Sequence, residues 1–174
     1  MANERMAEDD YQLFWAQAWG SYYTVYFQEL LAERITRRLI GLDRLSLLVE
    51  ALTAMGSGAV GWALWQDGGH RAAWAVLAGL ASVVAVTRLV YLVSSRVRDA
   101  EAVFREYRAL RLDVASYRRD LGRGLSWDIA SARTSDLRDR FVKIEARAPA
   151  GGLATRRLRG RVQNEVNAIL RSKR

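Results

Sequence analysis

The chain has no cysteine, and His70 is its only histidine, which excludes disulfide staples, thiol catalysis, His-paired triads and multi-histidine metal centres. Pro149 is the single proline, so little interrupts helix formation. Lysine is nearly missing: of 27 basic residues only Lys143 and Lys173 are lysine, and the rest are arginine. No GK[ST] phosphate loop, dinucleotide fingerprint or nucleophile elbow occurs, so neither an enzymatic activity nor a cofactor is expected. Glu8, Asp9 and Asp10 read as surface charge, and the other acids alternate with Arg on helix faces. The acidic opening MANERMAEDDYQ lacks a basic stretch joined to an apolar run, so no signal peptide is expected there. With 51% hydrophobic and 26% charged residues, wholesale disorder is excluded, and 174 residues suffice for one ordinary domain plus an appendage.

A mean hydropathy of −0.11 conceals two apolar blocks between charged flanks. Residues 45–65, LSLLVEALTAMGSGAVGWALW, carry Glu50 as their only charge, and residues 72–95, AAWAVLAGLASVVAVTRLVYLVSS, carry only Arg88. Each exceeds the roughly 20 apolar residues a helix needs to cross a bilayer. The polar turn QDGGHR joins them. A buried hairpin in a soluble bundle is the bland alternative, but soluble helices rarely stay apolar on every face for this length. Arg34, Arg37, Arg38 and Arg44 on one flank, with Arg96 and Arg98 on the other, outweigh Arg71 in the turn. Both termini are therefore expected in the cytoplasm, with Trp62, Trp65 and Trp74 anchoring the turn end at the outer interface.

Glu50 precedes Gln66 by 16 residues, and Arg88 follows Arg71 by 17. In an antiparallel hairpin both then lie about 24–26 Å below the outer boundary, near the inner edge of a core about 30 Å thick. They read as a structural ion pair, as two side chains snorkelling to the cytoplasmic interface, or as a charged ring at a pore mouth. Ala54, Ser57, Gly58 and Gly61 form one small-residue face, and Ala75, Ala78, Gly79 and Ser82 another. One such face suits hairpin packing; two, with Thr53 and Ser57, permit contact between hairpins.

Residues 1–44 read as a helix in which Tyr11, Trp15, Trp19, Tyr22 and Tyr26 form one stripe, continued by Leu30, Leu31, Ile35 and Leu39. Packing on another helix is the preferred role; an interfacial helix or a base-stacking platform are the alternatives. Residues 96–147 read as a helical hairpin. Its first arm aligns Val97, Ala100, Phe104, Tyr107, Leu110, Val114, Tyr117 and Leu121 in a coiled-coil-like seam with a slip near Tyr107. Gly122 and Gly124 end that arm. The second arm has Ser126 as N-cap and Ile129, Leu137, Phe141 and Ile144 facing inward. Residues 148–174 comprise the linker APAGG and a last amphipathic helix on Leu158, Val162, Val166 and Leu170.

Charge is concentrated at that end. Residues 1–44 carry −2, residues 45–95 carry 0, residues 96–145 carry +3 and residues 146–174 carry +7, which accounts for the net +8. Arg156, Arg157, Arg159 and Arg161 supply the polar face of the last helix, with Arg34, Arg37 and Arg38 next in line. Such a run is a solvated face, a contact with anionic inner-leaflet lipid, or a phosphate site suited to guanidinium forks.

The order of aromatic helix, two-span hairpin with a short outer turn, long amphipathic helix and Arg-rich end resembles the SLATT family of bacterial two-span membrane effectors over roughly residues 10–145. The basic tail also resembles Hailong-type membrane effectors. The resemblance implies an all-α, oligomeric protein of the bacterial inner membrane that acts in antiphage defence. It implies a pore that arrests or kills the cell, and a partner nucleotidyltransferase that makes an anionic nucleotide or oligonucleotide ligand. A two-span protomer encloses no water alone, so a pore needs a homo-oligomer of about four copies or more. The aromatic helix and the Val97–Leu121 seam are the expected assembly surfaces. A non-conducting anchor that docks a soluble partner and a membrane-tethered nucleic-acid binder, including a DNA-binding one, are the competing functions. Ion flux separates the first from the others.

Overall fold

The computed structural model describes residues 8–56, 76, 79, 83, 93–148 and 153–172. Among these the chain is all-α, with no strand. Helix α1 spans Glu8–Gly56, α2 Val93–Leu121, α3 Trp127–Arg147 and α4 Arg156–Arg171. The chain divides into two compact units, one of residues 1–36 with 99–174 and the other of residues 37–98. No helix among the described residues is long and apolar enough to cross a membrane. Most of the two expected spans, 45–65 and 72–95, lies outside the described residues.

The first unit is built on α2. Its buried line is Ala100, Val103, Tyr107, Leu110, Val114, Tyr117 and Leu121, all at 5% exposure or less. The steps alternate three and four without exception, the period of a left-handed helix–helix seam. The slip expected near Tyr107 does not occur, because Val103 rather than Phe104 occupies the seam and Phe104 is only half-buried. On α3, Ala130 and Ile144 are buried and Leu137 and Phe141 pack against the core. Ile129, expected inward, is 50% exposed. Its neighbour Ala130 takes the seam position, closing against Phe14, Ala18, Tyr117 and Leu121.

The α2–α3 turn and three ion pairs hold this register. Gly124 adopts φ +87, a left-handed conformation that glycine enters without a Cβ clash, and its N–H bonds to the Leu121 carbonyl at 3.0 Å. Ser126 is the N-cap of α3 as expected, but its side chain makes no capping bond. Arg133 pairs with Asp120 at 2.7 Å, Arg140 with Asp113 at 2.7 Å, and Arg147 with Glu106 at 2.6 Å. Each partner moves seven residues per step in opposite senses, so the two helices are antiparallel with one heptad register throughout. Inside the seam the Tyr117 hydroxyl lies 3.2 Å from the Ala130 carbonyl and 2.9 Å from the Thr134 hydroxyl.

Residues 8–36 of α1 run antiparallel to α2. Phe14 and Ala18 cluster with Tyr117 and Leu121, while Tyr22 and Val25 cluster with Val103, Tyr107, Leu110 and Val114. Each large apolar side chain so buried contributes about 1.5–3 kcal/mol. Helix α4 buries Leu158, Val162 and Val166, with Leu170 packed against the main cluster. Its first turn is capped by Thr155, whose hydroxyl accepts from the Leu158 N–H at 3.3 Å. The Val97–Leu121 seam, expected between copies, is thus filled within one chain.

Candidate functional site

The amphipathic pattern of α4 leaves Leu158, Val162 and Val166 inside and turns Arg156, Arg157, Arg159 and Arg161 outward, all four exposed. No acid stands in the first turn of α4, so no carboxylate in that turn offsets the arginines at its positive dipole end. Four exposed arginines within six residues form an anion-attracting surface. Arg34 plays a different part. One of its terminal nitrogens reaches both Glu165 oxygens, at 3.0 and 3.1 Å, tying α1 to α4. Gln163 donates to the Tyr23 hydroxyl, which donates to the Asn167 side-chain oxygen at 3.0 Å. The seam fixes the roll of α4 and so the outward direction of its arginines.

Arg37 and Arg38 are exposed on α1 within the second unit, so their segment belongs to a different compact body from the α4 cluster. Glu50 and Thr53 lie on α1, where the structure describes the backbone alone; Ser57 and Arg88 fall outside the described residues.

The aromatic stripe flanks the buried face of α1 instead of forming it. Tyr22 is buried, while Tyr11, Trp15, Trp19 and Tyr26 are half-buried and touch one another in sequence, with centroids 6.0 to 6.4 Å apart. Arg118 of α2 lies over this stack, 3.3 Å from the Trp19 centroid, 5.0 Å from Tyr22 and 5.7 Å from Trp15. Its buried Nε has no hydrogen-bond partner among the described residues. Burial pulls the Arg118 pKa down, since three ring faces replace water only partly around the charge.

Two turns earlier on α2, Arg111 meets the buried Glu29 carboxylate and lies 5.1 Å from the Tyr26 centroid. Burial works against the Arg111 charge, but the Glu29 carboxylate more than compensates and holds its pKa above the ordinary value. Burial likewise raises Tyr26 and Tyr117, and pushes Tyr107 up to about 12. On the exposed face the Arg133 hydrogen bond, with the Arg charge, holds Asp120 below the usual carboxylate range.

Sequence reasoning missed Glu29, Arg111 and Arg118. The available signal was Glu29 itself, a carboxylate four residues after Val25 on the apolar line of α1. No protein-family model, no curated protein and no solved structure matches this chain.

Proposed function

We propose that this protein is an oligomeric membrane effector of the SLATT type. Residues 45–65 and 72–95 span the bacterial inner membrane with both termini cytoplasmic, and about four copies or more enclose an ion-conducting pore. A nucleotide or oligonucleotide made by a partner nucleotidyltransferase gates that pore in antiphage defence. The observation that carries this reading is the surface of the second unit. Leu42, Leu45, Leu47 and Leu48 are 47–61% exposed on α1, and Val76 and Val83 exceed 60%. Several half-exposed leucines close together on one helix are disfavoured in water and suit hydrocarbon.

The α4 arginines support the ligand assignment. Several copies in a ring bring their basic ends together, and an entering polyanion neutralises that repulsion and draws the helices inward. With the α2 seam filled within the protomer, contacts between copies of the first unit fall on its exposed apolar side chains, such as Leu112 and Val142. Purified protein in anionic vesicles tests the reading. Potassium flux that changes on adding a short mixed-sequence oligonucleotide is expected. Absence of flux with and without it refutes the pore, and leaves the non-conducting anchor.

A further inference from the structure

All four helices of the first unit meet at a half-open cleft of about 270 Å³. Leu31 and Ile35 of α1 and Val103 of α2 give it an apolar wall, and Gln28, Glu145 and Arg159 bring three polar groups to it. Glu145 and Arg159 line the same cleft without pairing with each other, and neither makes an ion pair with any described residue. A carboxylate and a guanidinium sharing an apolar cleft, each with open hydrogen-bonding capacity, form a complementary pair of contacts for one ligand.

We propose that this cleft binds a guanine nucleotide, with the base against the apolar wall, Glu145 accepting from the base and Arg159 holding the phosphate. The volume suits a single base with its sugar at the mouth. A carboxylate accepts two parallel N–H bonds from the guanine edge, from N1 and the exocyclic amine, whereas the adenine edge presents an acceptor at N1. Gln28 supplies a carboxamide able to donate or accept at the same base. Charge selects the other end of the ligand. Arg156 lies three residues before Arg159 on one helix face, and with Arg157 and Arg161 it gives this end of α4 far more positive charge than a lone carboxylate ligand needs. A zwitterionic amino acid is therefore a poorer match than a phosphate ester.

The inference rests on the nucleotide reading above but not on conduction, and direct binding separates the two. The full-length protein in detergent is titrated calorimetrically with guanosine monophosphate, adenosine monophosphate, guanosine and inorganic phosphate. Guanosine monophosphate is expected to bind about ten- to a hundred-fold more tightly than adenosine monophosphate, the discrimination of one good bidentate base contact. Glu145→Gln should abolish that preference. Arg159→Gln should weaken guanosine monophosphate and leave guanosine unchanged. Both side chains are exposed and unpaired, so thermal unfolding of either variant should match the parent. Equal affinity for the two monophosphates, a preference that survives Glu145→Gln, or tighter binding of phosphate alone overturns the assignment. Guanosine monophosphate binding without flux keeps the cleft and removes the pore; flux without such binding does the reverse.

Discussion

Replacing Glu29 by Ala leaves the Arg111 guanidinium in the core without its counter-charge. The two side chains are 8% and 23% exposed, so little solvent is at hand to screen the orphan. Removing one partner of a buried pair costs about 3–5 kcal/mol. Arg111 is the more exposed of the two and can turn partly towards water, which places the expected loss near the lower end, about 3 kcal/mol. For a chain of this length that corresponds to a fall of about 6–12 °C in Tm. Glu29→Gln, which keeps the shape and deletes the charge, should lose most of the same amount. The double variant Glu29→Leu with Arg111→Met should recover nearly all of it, because an apolar pair leaves no charge stranded. Thermal unfolding followed by helical circular dichroism in detergent measures these three variants beside the single changes Glu29→Leu and Arg111→Met. Losses that simply add in the double variant would refute the reasoning, since independent sites add and coupled ones do not.

Tyr107 titrates at about 12 in the fold against 10 when exposed, so the fold favours its neutral form. The stability this contributes is complete below pH 10 and is lost as pH rises from about 10 to 12, an effect of about 2–3 kcal/mol. Urea unfolding across that range should show the loss in the parent and a smaller one in Tyr107→Phe. Charge reversal tests the α2–α3 register: Arg140→Asp or Asp113→Arg alone should lower Tm, and the two together should restore it. Equal Tm in all three variants would mean that the ladder contributes nothing to pairing. Topology is open to cysteine labelling because the parent has none. A membrane-impermeant thiol reagent should modify Gly69→Cys and spare Ser172→Cys in intact cells; the opposite pattern inverts the orientation.

Helix as the dominant structure, the stop at Gly122–Gly124, the α2–α3 hairpin and the inward line of α4 follow from the sequence alone. Each depends on local physics: a 3-4 apolar period, a glycine free to take positive φ, and the near absence of proline. The outward arginines of α4 were legible for the same reason, since the apolar line that points in leaves Arg156, Arg157, Arg159 and Arg161 pointing out. Where two adjacent residues were both apolar, periodicity on one helix did not choose between them. Val103 displaced Phe104, and Ala130 displaced Ile129, because only the facing helix determines which side chain meets a gap and which meets solvent. Tyr117 packs beside α3 with its hydroxyl on the Ala130 carbonyl and Thr134, and Ala130 is fully buried in the same cluster. The buried charge was the least legible feature. Glu29 reads as a surface residue until α2 folds back and brings Arg111 from more than eighty positions away, and Arg118 joins the aromatic stripe by the same return of the chain. A charge enters a core only beside its partner, and that partnership exists only in three dimensions.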